Sequence, residues 1–250
     1  MSIGDAEIKT QERVIRFFKD PESLGYQYIG NLSDYQNKNI NEDRLRQYLR
    51  LKGYADKLID AAVMQLQQEA GNLSRGVYDA NKTVYSRLKY GIPVSESPEK
   101  PPVAVELIDE ANPLNNDFAI AEEVTVVEQS EKRPDLVIYL NGIAVAVIEL
   151  KRSGVSVSEG IRQNLTNQKN SFIQSFFTTI QFCMAGNESE GLRYGTLMTG
   201  EKFYMEWKDD GFKEHEDERD PVDVRISKTC AGIENKLLRQ IYAMFDKERF

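Results

Sequence analysis

Residues 136–150, LVIYLNGIAVAVIEL, constrain the fold of this chain more than any other stretch. Two apolar runs meet at Asn141-Gly142, a dipeptide that tolerates positive φ at both positions and is a strong tight-turn signal between strands. The far end of this hairpin carries charge: Asp135 opens the first strand after Pro134, and Glu149 and Lys151 close the second. Burying a carboxylate or an ammonium without a partner costs several kcal/mol, so such residues suggest a metal or a reacting group. Two carboxylates can hold a hard divalent cation that polarises a phosphate oxygen, and a lysine can orient the attacking water or neutralise charge developing on phosphorus. Glu-x-Lys is cheap by itself: Glu7-Ile8-Lys9, Glu206-Trp207-Lys208 and Glu234-Asn235-Lys236 read as ordinary surface pairs. Only Glu149-Leu150-Lys151 ends so apolar a run behind a Pro-Asp strand. On the residues alone, a metal-dependent nuclease site and a structural ion pair at a strand end both stay open.

The hairpin contains a geometric test. Glu149 and Lys151 share a face by the strand period of two. A two-residue loop pairs Leu140 with Ile143 and carries Asp135 to a level with Ile148, on the opposite face from Glu149. A shared metal therefore requires an odd-length loop, such as Leu140-Asn141-Gly142 with a glycine bulge, or a bulge near Pro134. With the three-residue loop, Asp135 faces Val147 and has Glu149 as its same-face diagonal neighbour.

Composition bounds the remaining choices. The chain has 250 residues, 40% hydrophobic and 10% aromatic, which describes a folded protein with a substantial core. A net charge of -8 argues against binding nucleic acid by bulk electrostatics. Residues 44–52 and 152–169 are local basic stretches, although charge runs are usually solvated faces. Cys183 and Cys230 are the only cysteines and the first residues lack the apolar core of a secretion signal, so a reduced, cytoplasmic protein is expected. No run approaches the roughly 18 apolar residues that cross a bilayer. The single histidine, His215, lies in the acidic run KEHEDERD, which reads as a solvated loop and removes most histidine-based catalysis and zinc chemistry.

The first hundred residues read mainly helical, over residues 10–19, 42–52, 57–70 and 77–90. Pro21, Gly53, Gly71 and Gly91 stand near their ends. Residues 93–102 read as a connector. Strand patterns follow at 118–127, 136–140, 143–150, 179–184, 193–198 and 202–207. A helix lies between the third and fourth of these, opened by a Ser156-x-x-Glu159 capping box. Tyr194, Phe203, Tyr204 and Trp207 read as core aromatics more readily than as base-stacking platforms. Residues 234–249 form a final helix whose apolar stripe runs to the last residue, an expected sign that the natural polypeptide continues. The order of elements predicts an α/β fold, a mixed central sheet flanked by helices with a helical N-terminal region.

Residues 133–164, RPDLVIYLNGIAVAVIELKRSGVSVSEGIRQN, resemble the PD-(D/E)xK nuclease motif. Their surroundings resemble the N-terminal endonuclease domain of type I restriction enzyme R subunits. Weaker similarity extends to residues 41–54 (NEDRLRQYLRLKGY) and 192–199 (LRYGTLMT). The resemblance implies a restriction endonuclease-like core and Mg2+-dependent hydrolysis of double-stranded DNA, with Mn2+ as a substitute cation. Asp135 and Glu149 would be metal ligands, the backbone carbonyl of Leu150 would complete the shell, and Lys151 would be the catalytic cation. It also implies a Gln-x-x-x-Tyr element on the next helix. Gln163 matches, but Asn167 stands where the family has tyrosine, so no role that needs the ring carries over to this chain. Glu42 occupies a place similar to an acidic residue that supports the metal from an early helix, although a helix's first turn favours acids in any case.

On this reading residues 1–250 are one endonuclease domain: a mainly helical part over 1–110, a nuclease sheet over 115–210, and an acidic loop with a C-terminal helix over 211–250. The expected partners are DNA and the methylation and specificity subunits of a restriction complex, with no membrane. Relatives carry an ATP-driven motor after this domain, but no Gly-x-x-x-x-Gly-Lys-Ser/Thr phosphate loop occurs here. A catalytically inactive DNA-binding or docking module with the same fold, or a related DNA-repair nuclease, are the alternatives.

Overall fold

The computed structural model of the chain describes residues 3–95, 99, 101–208 and 220–250. His215, the acidic run around it up to residue 219 and part of the 93–102 connector lie outside the described residues. The helices are α1 (Ile3–Lys19), α2 (Glu42–Leu51), α3 (Asp56–Gly71), α4 (Val77–Tyr90), α5 (Val157–Asn167), α6 (Pro221–Ala231) and α7 (Lys236–Phe245). The strands are β1 (Gln27–Asn31), β2 (Ile92–Val94), β3 (Val103–Val105), β4 (Phe118–Glu122), β5 (Val126–Val127), β6 (Glu131–Lys132), β7 (Leu136–Leu140), β8 (Ile143–Leu150), β9 (Phe182–Asn187) and β10 (Gly191–Gly195).

A six-stranded mixed sheet in the order β1-β4-β7-β8-β9-β10 forms the centre, as the α/β pattern predicts. Within it β8 is buried along its whole length. It pairs antiparallel with β7 and parallel with β9, and α5 provides the crossover that a parallel pair requires. A strand covered on both faces needs a nearly continuous apolar run, which residues 143–148 supply. One face packs under Phe18, Leu45, Leu49, Ile59, Ile241 and Phe245 of the surrounding helices. The other packs under Phe176 and Phe177, with α5 beside them. The apolar stripe of α7 is buried inside this core through Leu237, Ile241, Tyr242 and Phe245.

The β7–β8 turn is the two-residue form. Asn141 and Gly142 have φ of 52° and 82°, and Leu140 pairs with Ile143. The expectation of a three-residue loop or a bulge near Pro134 is therefore incorrect, yet the parity it was meant to repair is repaired elsewhere. Tyr139 pairs with Ala144 while Ile138 pairs with Ala146, leaving Val145 as the extra residue of a bulge within β8. The Val145 carbonyl accepts instead from the Gln181 amide at 2.8 Å, at the entry to β9. The shift is visible in the packing, since the consecutive residues Val145 and Ala146 both face the α7 side whereas Ala144 and Val147 face the other.

Other boundaries differ for local reasons. β4 stops at Glu122 because Glu123 takes a positive φ of 51°, where its amide donates to the Asp135 carbonyl. Residues 202–207 do not form a strand: Met205 makes a single bridge to Tyr194, and residues 201–203 form a short 3-10 turn. β9 and β10 begin a few residues from their expected starts, at Phe182 and Gly191. The edge strand β1 and helix α6 were not anticipated. α1 begins at Ile3, well before residue 10, and that early turn matters for the site. The expected capping box at α5 is half formed. The Ser156 hydroxyl accepts from the Ser158 amide, but Glu159 turns to Arg162 and the Val157 amide donates to Glu190.

Candidate active site

With Leu136 paired to Ile148, the next residues, Asp135 and Glu149, stand side by side at the open end of the hairpin. The bulge at Val145 puts both on one face, together with Lys151 one pleat further on. Asp135 Oδ2 accepts from the Leu150 amide at 2.7 Å. In an extended strand a residue's N–H and C=O point to the same side, so the Leu150 carbonyl also opens toward Asp135. Glu149 is 0% exposed. Its Oε2 accepts from Gln163 Nε2 at 2.6 Å, while its Oε1 is buried with no hydrogen-bond partner among the described residues. The helix carrying Gln163 comes this close because of Gly160, where a Cβ would lie 2.9 Å from that of Ala185 and 3.4 Å from that of Glu149.

Lys151 Nζ lies 3.2 Å from Glu7 Oε1, an acid delivered by the first turns of α1. Four residues on, Gln11 Nε2 donates at 3.1 Å to both Glu122 and Glu123. Glu123 also lies 3.8 Å from Arg133. The site is thus an acidic hollow with one central lysine.

The electrostatics follow from this crowding. Burial, reinforced by Glu123 and Glu7 and opposed by the Leu150 amide and Lys151, pushes the Asp135 carboxyl up to about 6. Burial and then the neighbouring Asp135 raise Glu149 well above the ordinary carboxylate range. Burial alone would lower Lys151, but Asp135, Glu149 and Glu7 outweigh it and keep the ammonium charged. One ammonium does not satisfy two desolvated carboxylates, so without a further cation Asp135 and Glu149 hold onto protons, with a hydrogen bond between them. Among the described residues no three His, Cys, Asp or Glu side chains converge as metal ligands. Two carboxylates and a carbonyl are nevertheless a donor set that suits Mg2+, which retains several waters and binds through one or two carboxylates. The residues present fit such an ion.

The structure brings together Asp135, Glu149, Leu150, Lys151 and Gln163. It does not bring Glu42 to them. Asn41, which caps α2, donates its amide to the Gly142 carbonyl at 2.7 Å, so Glu42 sits beside the hairpin's turn. The length of β8, roughly 20 Å at the usual rise per residue, separates it from Glu149. There it is an ordinary first-turn acid, bound to Arg46 at 2.7 Å and Gln67 at 2.9 Å, and these hydrogen bonds lower its pKa. The early-helix acid near the site is Glu7, whose sequence context with Lys9 is that of an ordinary surface pair. Asn167 is buried at the end of α5, where its carbonyl accepts from Ile173. Glu7, Gln11 and Glu123 were the residues missed. The i, i+4 pairing of Glu7 with Gln11 becomes a signal only once α1 is known to start at Ile3.

A sheet with this order, carrying two carboxylates and a lysine at the end of its central hairpin, is a restriction endonuclease-like core. The chain matches the family model for the Type I restriction enzyme R protein N terminus over residues 7–203, and it belongs to that family. It is 24% identical over 204 residues to the "Putative type I restriction enzyme MjaIXP endonuclease subunit" of Methanocaldococcus jannaschii, covering 75% of this chain and 19% of that protein. It is 29% identical over 112 residues to the type I restriction enzyme SsaAORF53P endonuclease subunit of Staphylococcus saprophyticus, covering 43% of this chain and 12% of that one. The chain thus spans a fifth or less of the length of the curated relatives it matches. Among the described residues no helix is long and apolar enough to cross a membrane.

Proposed function

We propose that this domain hydrolyses DNA phosphodiester bonds with Mg2+, or Mn2+ in its place, as the nuclease of a type I restriction complex containing methylation and specificity subunits. The observation that carries this reading is the convergence of Asp135, Glu149 and Lys151 on one face through the Val145 bulge, with a buried Glu149 oxygen lacking a partner. Asp135, Glu149 and the Leu150 carbonyl would hold the cation, which when bound supplies Lewis-acid polarisation of the scissile phosphate. Lys151 holds and orients the attacking water and offsets the negative charge that develops on phosphorus. Glu7 holds the ammonium in place, and Gln163 fixes the Glu149 rotamer. Water oxygen bonds to phosphorus, the P–O bond to the leaving sugar breaks, and the products are a phosphate monoester and a free hydroxyl.

Calorimetric titration of Mg2+ and of Mn2+ tests the centre. Saturable binding to the unaltered chain, lost in Asp135→Ala and in Glu149→Ala, is the expected result. In the assembled complex, Lys151→Ala should retain binding and lower DNA cleavage by about 10²- to 10³-fold. Equal cation binding by all three proteins would remove the metal site and favour a docking module that keeps only the fold.

A further inference from the structure

We propose that the cleft between α1 and the 152–154 loop is a subsite for a backbone phosphate of duplex DNA, restrained by Glu188; this inference rests on the nuclease reading above. α1 presents two adjacent faces to the end of the sheet. Glu7 and Gln11, one turn apart, face the carboxylate centre. Lys9 and Arg13, also one turn apart, line a cavity of about 280 Å³ with Arg152 and Glu188. Arg152 directly follows Lys151, and α1 carries both Glu7, which meets that lysine, and the Lys9 and Arg13 that line the cavity.

Charge decides what this cavity takes. The chain carries a net charge of -8 and repels DNA as a whole, so any grip on the backbone must come from local cations. Here three cations from two elements meet at one concave surface beside the reacting centre. Arg152 has no hydrogen-bond or ion-pair partner among the described residues. The turn closed by the Val155 amide on the Arg152 carbonyl, at 2.9 Å, fixes its backbone. Arg13 is paired with Glu188, an acid on the segment that joins β9 to β10. An arriving phosphate competes with Glu188 for that guanidinium, so Glu188 lowers affinity and Arg13 raises it.

Opposite signs at the two ends of one ion pair provide the test. A labelled short duplex is titrated with the 250-residue chain in Ca2+ by fluorescence anisotropy, over a series of salt concentrations. Arg13→Ala and Arg152→Ala should each weaken binding several-fold and reduce the slope of log K against log salt by about 0.9, the value of one phosphate contact. Glu188→Gln should tighten binding. Arg13→Lys, which keeps the charge, should keep the slope and so separates lost contact from disturbed folding. Saturable wild-type binding that all four variants leave unchanged overturns the subsite and leaves the nuclease reading intact. No saturable wild-type binding at low salt also overturns the subsite, while the nuclease reading stands or falls separately on the cation titration and on cleavage by the assembled complex.

Discussion

The two ends of the β7–β8 hairpin each bury a polar side chain completely, and they treat it in opposite ways. At the turn, Asn141 is 0% exposed, with both amide hydrogens and the side-chain oxygen bonded. Its amide group donates to the Leu107 carbonyl and to Asn116 Oδ1, both at 2.8 Å, and its oxygen accepts from the Asp117 amide at 2.7 Å. At the open end, Glu149 is equally buried and keeps one oxygen unpartnered beside a second carboxylate. Buried polar groups are normally satisfied because an orphan costs about 1 to 3 kcal/mol, more when charged. The turn obeys that rule and defines the fold. Glu149, at the open end, departs from it.

If the turn is the structural end, damage there should appear as lost stability. Gly142 has a φ of +82°, and a Cβ at this position would lie 2.6 Å from the Asn41 carbonyl oxygen and 2.7 Å from the Leu45 nitrogen. Gly142→Ala therefore combines backbone strain with a main-chain clash that no side-chain rotation relieves, and should cost about 3 kcal/mol. Urea unfolding followed by circular dichroism measures this directly. A loss below about 1 kcal/mol would show that α2 can lift off the turn, and the comparison would lose its rigid member.

The open end should respond with the opposite sign. Asp135 has its carboxyl raised from 3.8 to about 6, so the folded state holds a proton that the unfolded state releases earlier. Between pH 4 and 6 the native chain binds more protons, and stability falls as pH rises through that interval. The penalty is absent below about pH 4 and complete above about pH 6 to 7. Asp135→Asn removes the charge while its side-chain oxygen can still accept from the Leu150 amide. In the absence of divalent cations it should stabilise the domain by about 1 to 3 kcal/mol at pH 7, with the gain disappearing below pH 4. Added Mg2+ should narrow the difference by stabilising only the unaltered protein. Destabilisation by Asp135→Asn at neutral pH would mean that the carboxylate serves as a structural ion-pair partner.

The same contrast explains what the sequence made legible. Local signals sufficed for β7, β8, the turn and helices α2 to α4, because each depends on residues within a few positions. The bulge at Val145 was not legible, since one apolar residue among Ile143, Ala144, Val145, Ala146 and Val147 has no side-chain mark of being unpaired. Its cause is tertiary: the Val145 carbonyl is claimed by Gln181 across the β8–β9 join. Parity alone showed that some irregularity had to exist, without locating it. β1 was missed because its pairing partner, β4, lies some ninety positions later, at residues 118–122 against 27–31.

The smallest expected effect concerns the two acids that competed for one role. Glu42 and Glu7 both lie in the first turns of helices in the N-terminal part of the chain, and sequence similarity pointed to the first. In the structure Glu42 belongs to the turn end, in a half-exposed i, i+4 pair with Arg46, a contact worth roughly 0.3 to 0.5 kcal/mol. Glu42→Gln should therefore change stability by less than about 0.5 kcal/mol and leave cation affinity unaltered, while Glu7→Gln should lower the Lys151 pKa by removing a neighbouring negative charge. Nuclear magnetic resonance titration of the lysine ammonium, alongside the calorimetry, separates the two. A cation affinity that falls with Glu42→Gln would require α2 to reach the carboxylates in solution, and the division of the hairpin into a structural and a chemical end would fail.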